Sequence, residues 1–110
     1  MSFYTALEIA YTGDWEPPDI DTVSEKILHL LDSDGIHHDV LQNIRVAFDT
    51  GKADFFVHAA YLAQLIQSIS EFFPNCSFEA RGLGEEFRNT WVRSFEDGKL
   101  IFEVGPWDYD

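Results

Sequence analysis

Basic residues are scarce in this chain: 110 residues hold seven Lys or Arg against 20 Asp or Glu, a formal charge of −13 with neutral histidines. A surface this anionic is repelled by phosphate backbones and anionic lipid headgroups, which argues against direct nucleic-acid binding and against adsorption to membranes. Cysteine is nearly missing as well. Cys76 stands alone, so no intramolecular disulfide can form. No run approaches the ~18 consecutive apolar residues of a membrane-spanning helix. The opening segment Met1 to Glu8 lacks the basic and apolar regions of a signal peptide, and the cytoplasm is the expected compartment.

What the chain does have is large apolar side chains: hydrophobic residues make up 45%, including ten Phe, four Tyr and three Trp, too many for an acidic disordered segment. The length suits one core, and residues 1–110 are read as a single domain. Phe3 to Tyr11 alternates, with Phe3, Thr5, Leu7, Ile9 and Tyr11 on one side, and reads as a strand. Gly13 to Pro18 breaks regular structure. From Ile20 the period lengthens: Ile20, Val23, Ile27, Leu30 and Leu31 predict a helix, capped by Asp19 or Asp21 and stopped by Gly35.

Val40 to Asp49 alternates again, with Ile44, Val46 and Phe48 on one face, and predicts a second strand ended by an Asp49-Thr50-Gly51-Lys52 turn. Ala53 to Val57 fits either a short strand or the start of the next helix. That helix carries Ala59, Leu62, Ala63, Ile66, Ile69 and Phe73 on one face and ends before Pro74. Cys76 to Gly82 reads as a strand, and Phe87 to Gly105 as a hairpin turning at Asp97-Gly98. Pivoting there sets Phe95 opposite Leu100, Arg93 opposite Phe102 and Trp91 opposite Val104 on the core side. The expected architecture is α+β: an antiparallel or mixed sheet of about five strands with two helices on one face, ferredoxin-like with an added C-terminal hairpin.

No motif dictates a chemistry. His37-His38-Asp39 gathers two imidazoles and a carboxylate, with His29 and His58 elsewhere, but adjacent side chains diverge and the spacing is not that of a zinc site. No metal and no cofactor are expected. Cys76 in acidic surroundings reads as a small buried residue rather than a nucleophile. Gly82-Leu83-Gly84 is followed by Glu85 and Glu86, which would repel a phosphate. Arg93 interrupts an apolar face and is expected to be satisfied over a ring or in an ion pair at the sheet end. No catalytic residue is assigned, and the chain is read as a non-enzyme.

The charge is uneven. Residues 1–39 carry −8, residues 40–75 carry −1 and residues 76–110 carry −4. On the first helix Asp21, Glu25 and Asp32 fall within about 40° of one another at about 100° per residue, spaced about 6 Å and 10 Å along the axis, opposite the apolar stripe. Asp14, Glu16 and Asp19 extend this row before the helix, and Asp34 and Asp39 after it. Such a row of carboxylates matches the lysine and arginine sites with which proteins hold nucleic-acid phosphates.

Carried by Asp14, Glu16, Asp19, Asp21, Glu25, Asp32, Asp34 and Asp39, the chain resembles small acidic inhibitors of phages and mobile elements, especially DNA-mimic anti-CRISPR proteins. The resemblance is one of type over the full length. It implies a basic nucleic-acid-binding partner, a CRISPR effector subunit, blocked without catalysis where target DNA docks. Two other readings compete: an immunity-type module gripping a basic toxin or enzyme through an exposed sheet face and the Trp107 and Tyr109 tail, and a small enzyme built on His37-His38-Asp39.

Overall fold

The computed structural model describes residues 5–12, 19–84 and 90–105. Strand β1 (Thr5–Tyr11) leads to a 3-10 turn (Ile20–Val23) that runs directly into helix α1 (Ser24–Ser33). Helix α2 (Val40–Thr50), strand β2 (Lys52–Phe55) and helix α3 (Ala59–Ser70) follow, then strands β3 (Phe78–Gly84), β4 (Trp91–Glu96) and β5 (Lys99–Val104). The fold is α+β, with one five-stranded sheet in the order β2-β1-β3-β4-β5. Every neighbouring pair is antiparallel.

Several expectations need correcting. The segment from Val40 is a helix, not a strand, because Val40, Ile44, Ala47 and Phe48 are its buried residues, spaced at three and four, while Val46 faces outward. Gly51 then serves as a left-handed cap at φ +86°, its N–H donating to Ala47 O at 2.8 Å, rather than as a turn residue. With that strand gone there are three helices instead of two, and the ferredoxin-like order of elements does not hold. The undecided Ala53–Val57 segment contributes β2, since Lys52 to Phe55 pair with Glu8 to Thr5.

The hairpin turns where expected, with Asp97 at φ +52° and Gly98 at +77°, and keeps Phe95 opposite Leu100 and Glu96 opposite Lys99. Beyond that pair a bulge at Ile101 shifts the register by one: Ser94 faces Phe102, Arg93 faces Glu103 and Val92 faces Val104. The shift gives Arg93 a carboxylate at 3.4 Å, and its Nη1 donates to Gln67 Oε1 at 2.8 Å. Phe102, expected on the core side, lies on the other face and is 53% exposed.

All three helices gather on one side of the sheet. Alternation places Leu7, Ile9, Ala53, Phe55, Phe78, Ala80, Trp91 and Phe95 on the covered face, where they meet Ile27 and Leu31 of α1, Ile44 and Phe48 of α2, and Leu62 and Ile66 of α3. Phe78 is central to this layer, edge-on to Phe48 at 5.4 Å and tilted against Phe95 at 4.9 Å. Tyr11 closes the layer by donating its hydroxyl to Phe48 O at 2.6 Å, and burial pushes the phenol well above its ordinary ionisation range. Among the described residues no helix is long and apolar enough to cross a membrane.

Gly82 of β3 lies under the indole of Trp91: a Cβ built there would come within 2.1 Å of Nε1. Gly82→Ala therefore forces the largest fully buried side chain out of place, and should lower unfolding stability by about 1–3 kcal/mol. Urea denaturation followed by tryptophan fluorescence checks this; an unchanged midpoint would show that the ring is free to shift.

Candidate acidic interface

The 3-10 turn and α1 turn Ile20, Val23, Ile27 and Leu31 inward, which forces the polar positions between them outward. Asp19 caps the turn, its Oδ1 accepting the Asp21 N–H at 3.0 Å. Glu25 lies in the first turn of α1 and Asp32 in its last. Two helical turns separate them, about 10 Å on one face. Asp34 and Asp39 sit on the connection to α2. All six of these carboxylates are exposed. Asp14 and Glu16, the other two candidates, lie outside the described residues, as do Trp107 and Tyr109.

The structure does not leave the row as bare as the sequence suggests. Wound at about three residues per turn, the segment before α1 carries Asp21 away from a straight stripe and toward α2, where Arg45 Nη2 meets Oδ1 at 2.7 Å. Arg45 is held in place by Gln42 Oε1 at 2.8 Å. Asp32 meets the His38 Nε2, and Asp34 accepts the Tyr61 hydroxyl of α3 at 3.0 Å. The His37 Nδ1 lies 3.3 Å from the Asp39 carboxylate and 3.1 Å from the Asp39 backbone nitrogen, so this imidazole is held against the start of α2.

Electrostatics around α1 remain one-sided. Residues 19–39 hold six acids and one base. That base, Lys26, points its ammonium at the Phe72 ring, 5.5 Å from the centroid, instead of lying among the carboxylates. The last turn of α1 has no basic residue, and Asp32 and Asp34 occupy the end where the helix dipole is negative. A carboxylate there is disfavoured by about 0.3–1 kcal/mol at low salt.

Arg45 and Tyr61 are the members of this site that the sequence did not reveal. Arg45 was hidden by reading its helix as a strand; Tyr61 comes from α3, 27 residues from Asp34. Burial, then the hydrogen bond and charge of Asp34, push the Tyr61 phenol up to about 12.

Carboxylates predominate at this site and suit ammonium and guanidinium donors. The side chains with other chemistry are occupied elsewhere. His58 Nδ1 accepts the Ala60 N–H at 3.1 Å at the start of α3. Cys76 is buried just before β3, and burial pushes its thiol up. Among the described residues, no group of three or more His, Cys, Asp or Glu is arranged to hold a metal ion. Compared with protein-family models, curated proteins and solved structures, the chain matches none of them.

Tyr61 reports on this surface. Its raised pKa contributes stability below pH 10 that is lost as pH rises toward 12. Asp34→Asn removes the charge and keeps an acceptor, so the phenol should ionise earlier while burial still holds it above 10. An alkaline titration of carbon-labelled tyrosine by NMR measures the shift, and no change would show that the Asp34 carboxylate has no influence on the ring.

Proposed function

We propose that this protein is a non-enzymatic inhibitor of the anti-CRISPR kind, acting in the cytoplasm of a bacterial host. Its acidic face occupies the cationic groove in which a CRISPR effector subunit receives target DNA. The observation that carries this reading is the exposed carboxylates at Asp19, Asp21, Glu25, Asp32, Asp34 and Asp39, displayed beside a single lysine that turns away from them. Asp32 and Asp34 add weight, because the end of α1 they occupy favours cations, and helix stability gives no reason for acids there.

Carboxylates at intervals of several ångströms occupy lysine and arginine sites as phosphates do, and release condensed ions from the partner as DNA does. Glu25 and Asp32 supply the outer row. Asp21, already held by Arg45, contributes less free charge and fixes where that row sits relative to α2.

The test adds the protein to guide-loaded effector complexes and follows target-DNA binding by electrophoretic mobility. Wild type should abolish DNA binding. The Glu25→Lys/Asp32→Lys variant should need about tenfold more protein for the same effect, with circular dichroism unchanged. Inhibition should weaken steeply between about 50 and 200 mM salt. Inhibition that is flat with salt, or untouched by the charge reversals, would contradict a polyanion mimic.

A further inference from the structure

The face of the sheet away from the helices points to a second role. Alternation places Glu8, Lys52, Glu79, Arg81, Leu83, Val92, Phe102 and Val104 there, and among the described residues no helix packs on it. Its charge differs from that of the rest of the molecule. Glu8, Asp54, Glu79 and Glu96 face Lys52, Arg81 and Lys99, a net −1, leaving −12 for all other residues. Two copies of so anionic a chain repel each other in most orientations, and this face is one at which they approach with little repulsion.

The pattern on the face is also self-complementary. One cross-strand row reads Lys52, Glu8, Arg81, Val92, Val104 and the next reads Ala10, Glu79, Ser94, Phe102. A two-fold axis running across the strands between these rows lays Arg81 over the partner copy's second row at its glutamate, and Val104 over its phenylalanine, each contact made twice. Opposite charges meet at β3 and apolar side chains meet at β5. Arg81 already pairs with Glu79 of its own chain at 2.6 Å, so the axis brings two such pairs together as a cluster of four alternating charges; the Arg81 side chain is 58% exposed and Phe102 53%. The bulge at Ile101 creates the match, since without it Phe102 would lie on the covered face.

We propose that the chain forms a homodimer through this open sheet face, the two sheets stacked about 10 Å apart with strands nearly aligned. Five strands of at most seven residues give a face of about 20 by 20 Å. That is small against the roughly 800 Å² per partner of a stable complex, so the dimer is a weak one. Pairing edge to edge through β5 is disfavoured by the same bulge. Because α1 packs on the opposite side with α2, dimerisation leaves both acidic surfaces facing outward.

Sedimentation equilibrium of the full chain from about 5 to 500 µM tests this without any other protein present. Wild type should pass from 12.6 kDa toward twice that mass. Phe102→Asp should stay monomeric. Arg81→Glu should weaken association at least tenfold, and the swap Glu79→Arg/Arg81→Glu should restore it, which a merely unfolded variant would not do. A wild type that is monomeric throughout, a Phe102→Asp variant that still dimerises, or a swap that fails to restore association would each overturn the proposal.

Discussion

One-sided burial governs this molecule. A five-stranded antiparallel sheet covers one face with three helices, and the largest fully buried side chains, Trp91, Phe48, Phe55, Phe78 and Phe95, all sit between sheet and helices. Each contributes roughly 1.5–3 kcal/mol by leaving water. Repulsion between carboxylates on a helix surface amounts to a few tenths of a kcal/mol per close pair. Burial therefore wins by an order of magnitude, which is how a chain of net charge −13 folds without neutralising its surface.

The same asymmetry separates the two exposed surfaces. Ile27 and Leu31 anchor α1 through its underside, so its outer face is free to carry charge without touching the core. The sheet's far face is mixed in sign, with Arg81 donating to Glu79 at 2.6 Å and apolar groups gathered toward β5. The acidic surface and the nearly neutral one lie on opposite sides of the core, so the two contacts proposed for them would not compete.

Much of this was legible in the sequence. The alternation of Thr5, Leu7 and Ile9 marks β1, the spacing of Leu62, Ala63, Ile66 and Ile69 marks α3, and Asp97-Gly98 marks the hairpin with its positive φ angles. Val40 to Phe48 misled because Ile44 and Phe48 satisfy periods of two and of 3.6 together; Gly51, standing where a left-handed helix cap belongs, held the deciding signal. The bulge at Ile101 was not legible, since it answers to a distant need: Arg93, held against α3, takes a carboxylate rather than a ring opposite it. The exposure of Glu25 and Asp32 followed from helical periodicity. The contacts of Arg45, His38 and Tyr61 with Asp21, Asp32 and Asp34 did not, because they depend on how α2, the α1–α2 connection and α3 come together.

The proposed role requires the acids near α1 to be displayed for binding rather than for folding, and Asp32 is where the two uses diverge. It lies at the negative end of the helix dipole, and asparagine there would keep an acceptor for His38 while removing the charge. The deciding measurement is the urea unfolding free energy of Asp32→Asn against wild type at pH 8 and low ionic strength. A gain of about 0.3–1 kcal/mol is predicted, marking a carboxylate held against the interest of the fold. A loss of stability would make Asp32 a structural residue and contradict the reading of this surface as a binding face.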